Sequence, residues 1–299
     1  MKRMFALLAL CLLHQTGAFA QEKMDFKFGK VSKEDFTLPA DAIEQEAAAV
    51  ILLDKGFTEF IGNSKGWFSL KFVRKVRIKI NNANGVDAAD FVIPVYRSGN
   101  AVEKVVGLKA LCYNLEGDKI EETSLKGDQV FTDKLNRNFE LRKFSVPGVK
   151  AGSLIDVTYT IESDFIRNLQ PWTFQGKYPR YWSEYEVGFP SFFNYVTLMQ
   201  GYQPFHIRNS TDTRTSFNVL IPSDEGIGGR SETVSVPATV KFERWVIKNS
   251  RSLKGESFTS TLENHISKVE FQLNQYRFEG RPYQDVMAKW PQVVQGFMQ

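Results

Sequence analysis

The chain has 299 residues, enough for one large or two ordinary domains that bury a core without staples. Hydrophobic residues make up 42% of it, with 25 Phe and 10 Tyr, which excludes a solvated tail and suits wide, half-buried sheet surfaces. A formal charge of +4, with its charges scattered, excludes a nucleic-acid footprint.

Residues 1–20 read as a signal peptide. Lys2 and Arg3 give a positive start, Phe5 to Leu13 is a short apolar run, and Ala18-Phe19-Ala20 supplies the small residues of a cleavage site. The mature chain is expected to begin at Gln21, exported to the periplasm or beyond, with 36 basic against 34 acidic residues and a charge of +2. Leu10 is too large to precede a lipidated cysteine at Cys11. No later run approaches the roughly 20 apolar residues of a membrane span. Cys112 is then the sole thiol, so no internal disulfide is expected.

The segment Val31 to Ile43 reads as loop, with a helical turn at Pro39-Ala40-Asp41-Ala42. Ala47 to Leu53 predicts a strand, Asp54-Lys55-Gly56 a turn, and Phe57 to Ile61 the returning arm of a hairpin. In the next strand Phe68, Leu70, Phe72, Val76, Ile78 and Ile80 share one parity and Ser69, Lys71, Lys75, Arg77 and Lys79 the other, so one face is core and one is wet. Arg74 interrupts the apolar parity; it reads as a rim residue at a strand bend or as a buried anion-binding arginine.

Ala88 to Val95 and Val105 to Asn114 predict further strands, and Leu115-Glu116-Gly117-Asp118 turns the chain into Lys119 to Ser124. Gln129 to Asp133 and Asn138 to Phe144 follow. Ile155, Val157, Tyr159 and Ile161 then alternate with Asp156, Thr158, Thr160 and Glu162, the period of a strand with one dry face. Beyond the Trp172 and Tyr181 to Val187 segments, strands are expected at Phe193 to Gln200, Phe205 to Arg208, Arg214 to Ile221, Thr239 to Ile247 and Ile266 to Leu273. Short strands between Gly, Asn and Asp turns, without helical crossovers, predict an all-β antiparallel sandwich with immunoglobulin-like layers. Two β subdomains divided near 190 are a variant of that reading. Pro282 to Lys289 has helical character, and Trp290-Pro291 starts a second short helix.

Several of these segments carry a resemblance. Phe144-x-x-Pro147-x-Val149-Lys150-x-Gly152-Ser153, Tyr159-Thr160-Ile161-x-Ser163-Asp164-Phe165, Trp172-x-Phe174-Gln175, and Ser183-Glu184-Tyr185-Glu186 with Pro190 resemble the family known as domain of unknown function 3857. Leu108-Lys109-Ala110, Tyr113-Asn114-Leu115-Glu116-Gly117 and His265 to Leu273 fit the same pattern, so the likeness spans about 45–290. The resemblance implies an exported bacterial protein in which this β-rich part, 21–280, precedes a transglutaminase-like core. On that expectation 281–299 is the helical start of a region whose Cys-His-Asp triad has no counterpart here.

Cys112 with His206 or His265 is the one thiol-imidazole pair on offer, but Cys112 shares a strand face with Ala110 and Leu108 and reads as buried and inert. Two histidines without a carboxylate pattern predict no metal site and no cofactor. Glu184 and Glu186 project from one strand face, to bind a cation or act as an acid and base pair, or else as a solvated edge. Trp172, Tyr181 and Trp182, with Tyr178, are aromatics that would stack a sugar or grip a peptide, or else pack a sandwich corner. Gly226-Ile227-Gly228-Gly229 lacks the strand and helix of a phosphate loop, and Asn209-Ser210-Thr211 reads as a turn. The expectation is a non-catalytic module that recognises a protein, peptide or glycan for a transglutaminase-like domain in cis or trans. Its ligand residues would be Trp172, Tyr181, Trp182, Glu184 and Glu186. The alternatives are an enzyme using Cys112 or the glutamate pair, and a structural spacer.

Overall fold

A computed structural model describes residues 22–221, 231–254, 261–278 and 280–287. They form an all-β fold. In chain order the strands are β1 (Ala49–Gly62), β2 (Phe68–Ile80), β3 (Asp90–Ser98), β4 (Ala101–Val102), β5 (Lys104–Glu116) and β6 (Lys119–Ser124). Then come β7 (Phe131–Lys134), β8 (Phe139–Ser145), β9 (Leu154–Ser163), β10 (Trp172–Thr173) and β11 (Arg180–Pro190). The last are β12 (Phe193–Gln200), β13 (Ile207–Ile221), β14 (Glu232–Ser250), β15 (Lys268–Tyr276) and β16 (Gln284–Asp285).

An eight-stranded sheet runs β13-β14-β11-β1-β2-β9-β5-β6. Two small sheets, β10-β15-β12 with β16 and β4-β3-β8-β7, close its inner face. One apolar core joins all three: Phe72, Val157 and Tyr185 from the large sheet meet Ile93 and Phe144 from one small sheet and Phe193 and Phe271 from the other. That core takes residues from both sides of Pro190, so no division of the core falls there.

Most of the alternating segments lie where their period predicts them. The hairpin at Asp54 does not: β1 runs unbroken from Ala49 to Gly62 and pairs with β2 along its whole length. Gly56 serves close packing here, since a methyl on it would lie 2.5 Å from the Trp172 ring and 2.8 Å from Tyr185. The parallel pairing of β1 with β11 is also unforeseen; its crossover is made of strands β2 to β10 and needs no helix. β13 joins the two segments expected at 205–208 and 214–221 into one strand, which places Asn209, Ser210 and Thr211 in a ladder with β14 and removes the turn. Gln284–Asp285 pair with β15 as a short strand where helix was expected, while 288–299 and the glycine cluster at 226–229 lie outside the described residues.

The face of β2 expected to be wet is largely covered. Residues 22–46 lie across it as a strap: Phe26 sits 4.2 Å from the Arg77 guanidinium, Asp25 pairs with Lys75, and Phe36 packs 5.6 Å from Lys79 Nζ. Val50, Leu52, Tyr113 and Leu154 form a second apolar cluster under the strap with Val31, Phe36 and Leu38. This explains why Arg77 and Lys79 are buried on the polar parity.

Candidate functional site

β11 is an inner strand, flanked by β1 and β14, so Glu184 and Glu186 do not lie on a sheet edge. The strand period splits the five expected ligand residues. Trp182, Glu184 and Glu186 share the outer face, whereas Trp172 lies on the core side against Tyr185, with ring centroids 5.1 Å apart and planes 14° apart. Trp172 Nε1 donates to Ser183 Oγ at 3.1 Å. It is 3% exposed and Trp182 is 1% exposed, so neither ring offers a stacking face to solvent.

On the outer face Glu184 is fully engaged. Arg244 donates from Nε to Oε1 at 2.9 Å and from Nη2 to Oε2 at 3.0 Å, Trp182 Nε1 donates to Oε2 at 2.8 Å, and Lys55 Nζ lies 3.2 Å from Oε1. Burial pushes its carboxyl up, but Arg244 and Lys55 outweigh burial and hold it below the ordinary glutamate value. Glu186, two residues on, is half-buried; burial and then the Glu184 charge push it up. The two acids therefore have opposed proton affinities, the electrostatic form of an acid and base pair. The first of them is sealed beneath its partners. Tyr181 is half-buried and donates its hydroxyl to Asp41 of the strap at 2.8 Å, with Lys248 Nζ 5.3 Å from its ring.

A second ionic cluster occupies the core side. Asp54 accepts two hydrogen bonds from Arg74, at Nε and Nη2, and one from Arg180 Nη1, all at 2.8 Å. Arg74 also lies 5.2 Å from the Trp172 ring; it binds an anion, Asp54, but its side chain is 28% exposed, so it combines the two readings. Burial raises the Asp54 carboxyl, yet Arg74 and Arg180 together hold it below the ordinary value. A third cluster pairs Asp156 with Arg77 at 2.7 and 2.8 Å and adds Asp35 of the strap at 3.0 Å.

Cys112 is fully buried, and burial raises its thiol. His206 is bound to Glu22 and packs edge-on to Trp182, and His265 stacks on Tyr202. Asn114 Nδ2 donates to the Cys112 sulfur at 3.7 Å. No thiol-imidazole pair forms among the described residues. No group of three His, Cys, Asp or Glu there is arranged to hold a metal, and no helix there is long and apolar enough to cross a membrane.

The open concavities lie elsewhere. A cleft of about 690 Å³ between the start of β5 and the small sheet is lined by Lys65, Glu103, Lys104, Glu140, Arg142 and Asp164. A groove of about 360 Å³, where β13 curls toward the end of β1, is lined by Glu59, Gly188, Thr213, Thr215 and Phe242. Sequence reasoning missed both, because each is assembled from strands distant in the chain. The one local signal was the run of Lys and Glu at 103–104 between apolar neighbours.

No family model matches the chain, and no curated relative matches it. Among solved structures, the chain is similar to one from Parabacteroides distasonis described as a "putative protease", with a TM-score of 0.50 and 12% identity. The match covers 76% of this chain and 41% of that one, so the chain spans about two fifths of its neighbour's length. At that identity the likeness is one of fold.

Proposed function

We propose that this chain is an exported, non-catalytic β-rich module that recognises or positions a protein, peptide or glycan for a transglutaminase-like domain in cis or trans. The observation that carries the reading is that Cys112 and Glu184, one thiol and one acid of the candidate chemistry, are enclosed within the sheets. The Cys112 thiol is buried with its proton held on, and Glu184 is enclosed by Arg244, Lys55 and Trp182. A general base or nucleophile must reach its substrate within hydrogen-bond distance, and neither group has a path to one. A related fold that makes up 41% of a longer chain described as a "putative protease" fits a module that accompanies a catalytic part.

The reading is tested on protein purified from the native host. Mass spectrometry should find a chain beginning at Gln21; a species that retains Met4 to Ala20 removes export. Thermal melting against casein-derived peptides and chitooligosaccharides should show a ligand-dependent rise in Tm without turnover. Hydrolysis or amide transfer that disappears in Cys112→Ser or Glu186→Gln, with the fold intact, would make the chain an enzyme and overturn the proposal.

A further inference from the structure

The first half of β5 has a neighbour on one side only. β9 pairs with it from Lys104 to Tyr113, whereas β6 joins the opposite side at Leu111 and beyond. Leu125 N–H, donating to Ala110 O at 2.9 Å, is the last contact before the chain leaves that edge. Among the described residues, Lys104 to Leu108 therefore have no strand opposite β9. Backbone groups of a strand point alternately to its two sides, so this stretch presents an unpaired row of donors and acceptors. Its first residues, Lys104, Val105 and Val106, line the 690 Å³ cleft.

The edge is held in place before any partner arrives. Where the chain crosses from β4 to β5, Tyr96 N–H donates to Glu103 Oε2 at 2.8 Å and Glu103 N–H donates to Tyr96 O at 2.9 Å. Glu103 itself is 3% exposed, so this crossover is fixed within the fold. A preformed edge spares a peptide the cost of ordering its receptor.

Charge selects the occupant. The bulge between Val106 and Lys109, with Gly107 at φ 62°, keeps Lys104 and Lys109 on one face, opposite Glu162 and Thr158 of β9. Both lysines are exposed and neither makes an ion pair among the described residues. Two acids of the cleft are engaged: Glu140 pairs with Arg97 at 2.6 Å and with Arg142 at 3.8 Å, and Asp164 takes Lys65 at 2.5 Å and Ser69 at 2.6 Å. Lysines at an open edge repel a second copy of the same edge and attract an acidic strand.

Resting on the recognition reading above, we infer that an extended acidic peptide segment adds as a strand to β5 at Lys104–Leu108, its carboxylates on the face of Lys104 and Lys109. Backbone ladder bonds supply the register and the cations supply the selectivity.

The test uses the full chain and a labelled, end-blocked seven-residue peptide of alternating glutamate and valine. Binding by fluorescence anisotropy should be saturable and should weaken as salt rises. The lysine and valine counterpart, and the same acidic peptide N-methylated at alternate backbone nitrogens, should each bind at least about tenfold more weakly. Lys104→Glu with Lys109→Glu should cost on the order of tenfold for the acidic peptide, with the melting temperature checked for each variant. Equal binding of the N-methylated peptide would overturn strand addition, and equal binding of the lysine peptide would overturn the charge argument. Dimers that compete with peptide in sedimentation would assign the edge to a second copy instead. If no acidic peptide binds while a chitooligosaccharide still raises Tm, this inference fails and the recognition reading stands.

Discussion

Asp54→Asn tests how far the core-side ionic cluster supports the fold. The carboxylate is completely buried and is the shared acceptor for Arg74 and Arg180. Removing one member of a buried pair costs roughly 3–5 kcal/mol, because the remaining charge is left uncompensated. Arg180 is 9% exposed at its side chain and bears that cost in full, whereas Arg74 is 28% exposed and water offsets part of it. An asparagine still accepts one hydrogen bond, so the loss at neutral pH should be about 3 kcal/mol. That is a large share of a domain stability of about 5–15 kcal/mol. The sign with pH follows from the depressed Asp54 value. Its contribution is complete above the unfolded value of about 3.9 and is lost as pH falls through the lower folded value, so the deficit should shrink below about pH 4. Urea unfolding followed by tryptophan fluorescence at neutral and acid pH measures both quantities. A deficit under about 1 kcal/mol, or one that stays constant into the acid range, would refute the reasoning.

Three further outcomes are expected. Gly56→Ala places a methyl 2.5 Å from the Trp172 ring, which is itself stacked on Tyr185, and should destabilise by about 1–3 kcal/mol in the same urea assay. Glu186→Gln should stabilise by up to about 1 kcal/mol at neutral pH. The Glu186 carboxyl is pushed up, so its charged form opposes folding above the folded value, and the gain should fade as pH falls toward the unfolded value. Cys112 should react with a thiol reagent only at the rate of global unfolding, and fast labelling of the native chain would contradict its burial.

Periodicity carried most of the fold. In β2 and β9 the alternation of apolar and polar residues marks the dry face correctly, because a half-buried strand must alternate. The failures have physical causes. Asp54-Lys55-Gly56 has turn composition, but Asp54 faces two arginines from β2 and β11, and Gly56 makes room for an indole from β10. Propensity is local, and tertiary partners overrode it. Glu184 and Arg244 were unreadable as a pair because 60 residues separate them, and only the pairing of β11 with β14 brings them together. The polar face of β2 looked wet because nothing in its own sequence reports the strap that covers it.

The Arg77 and Asp156 pair shows what such buried ions do for a sheet. The two residues are direct partners across β2 and β9, both on the face under the strap. Burial outweighs Arg77 at the Asp156 carboxyl, which stays above its ordinary value, whereas Asp156 and Asp35 outweigh burial at the Arg77 guanidinium and hold it above its own, so the pair as a whole is weak support for stability. Its contribution then lies in register. A slip of β9 by one residue along β2 would set Arg77 against Ile155 or Val157 and turn Asp156 toward the apolar core. The double variant Arg77→Met with Asp156→Leu should therefore match or exceed the parent in urea, while Arg77→Met alone should lose roughly 3–5 kcal/mol. The double variant should also show more than one set of amide resonances for β2 and β9, since the penalty against the slipped register is gone. A single set of resonances together with undiminished stability would mean that the apolar alternation of β2 suffices to hold the register, and the ion pair would then be without that role.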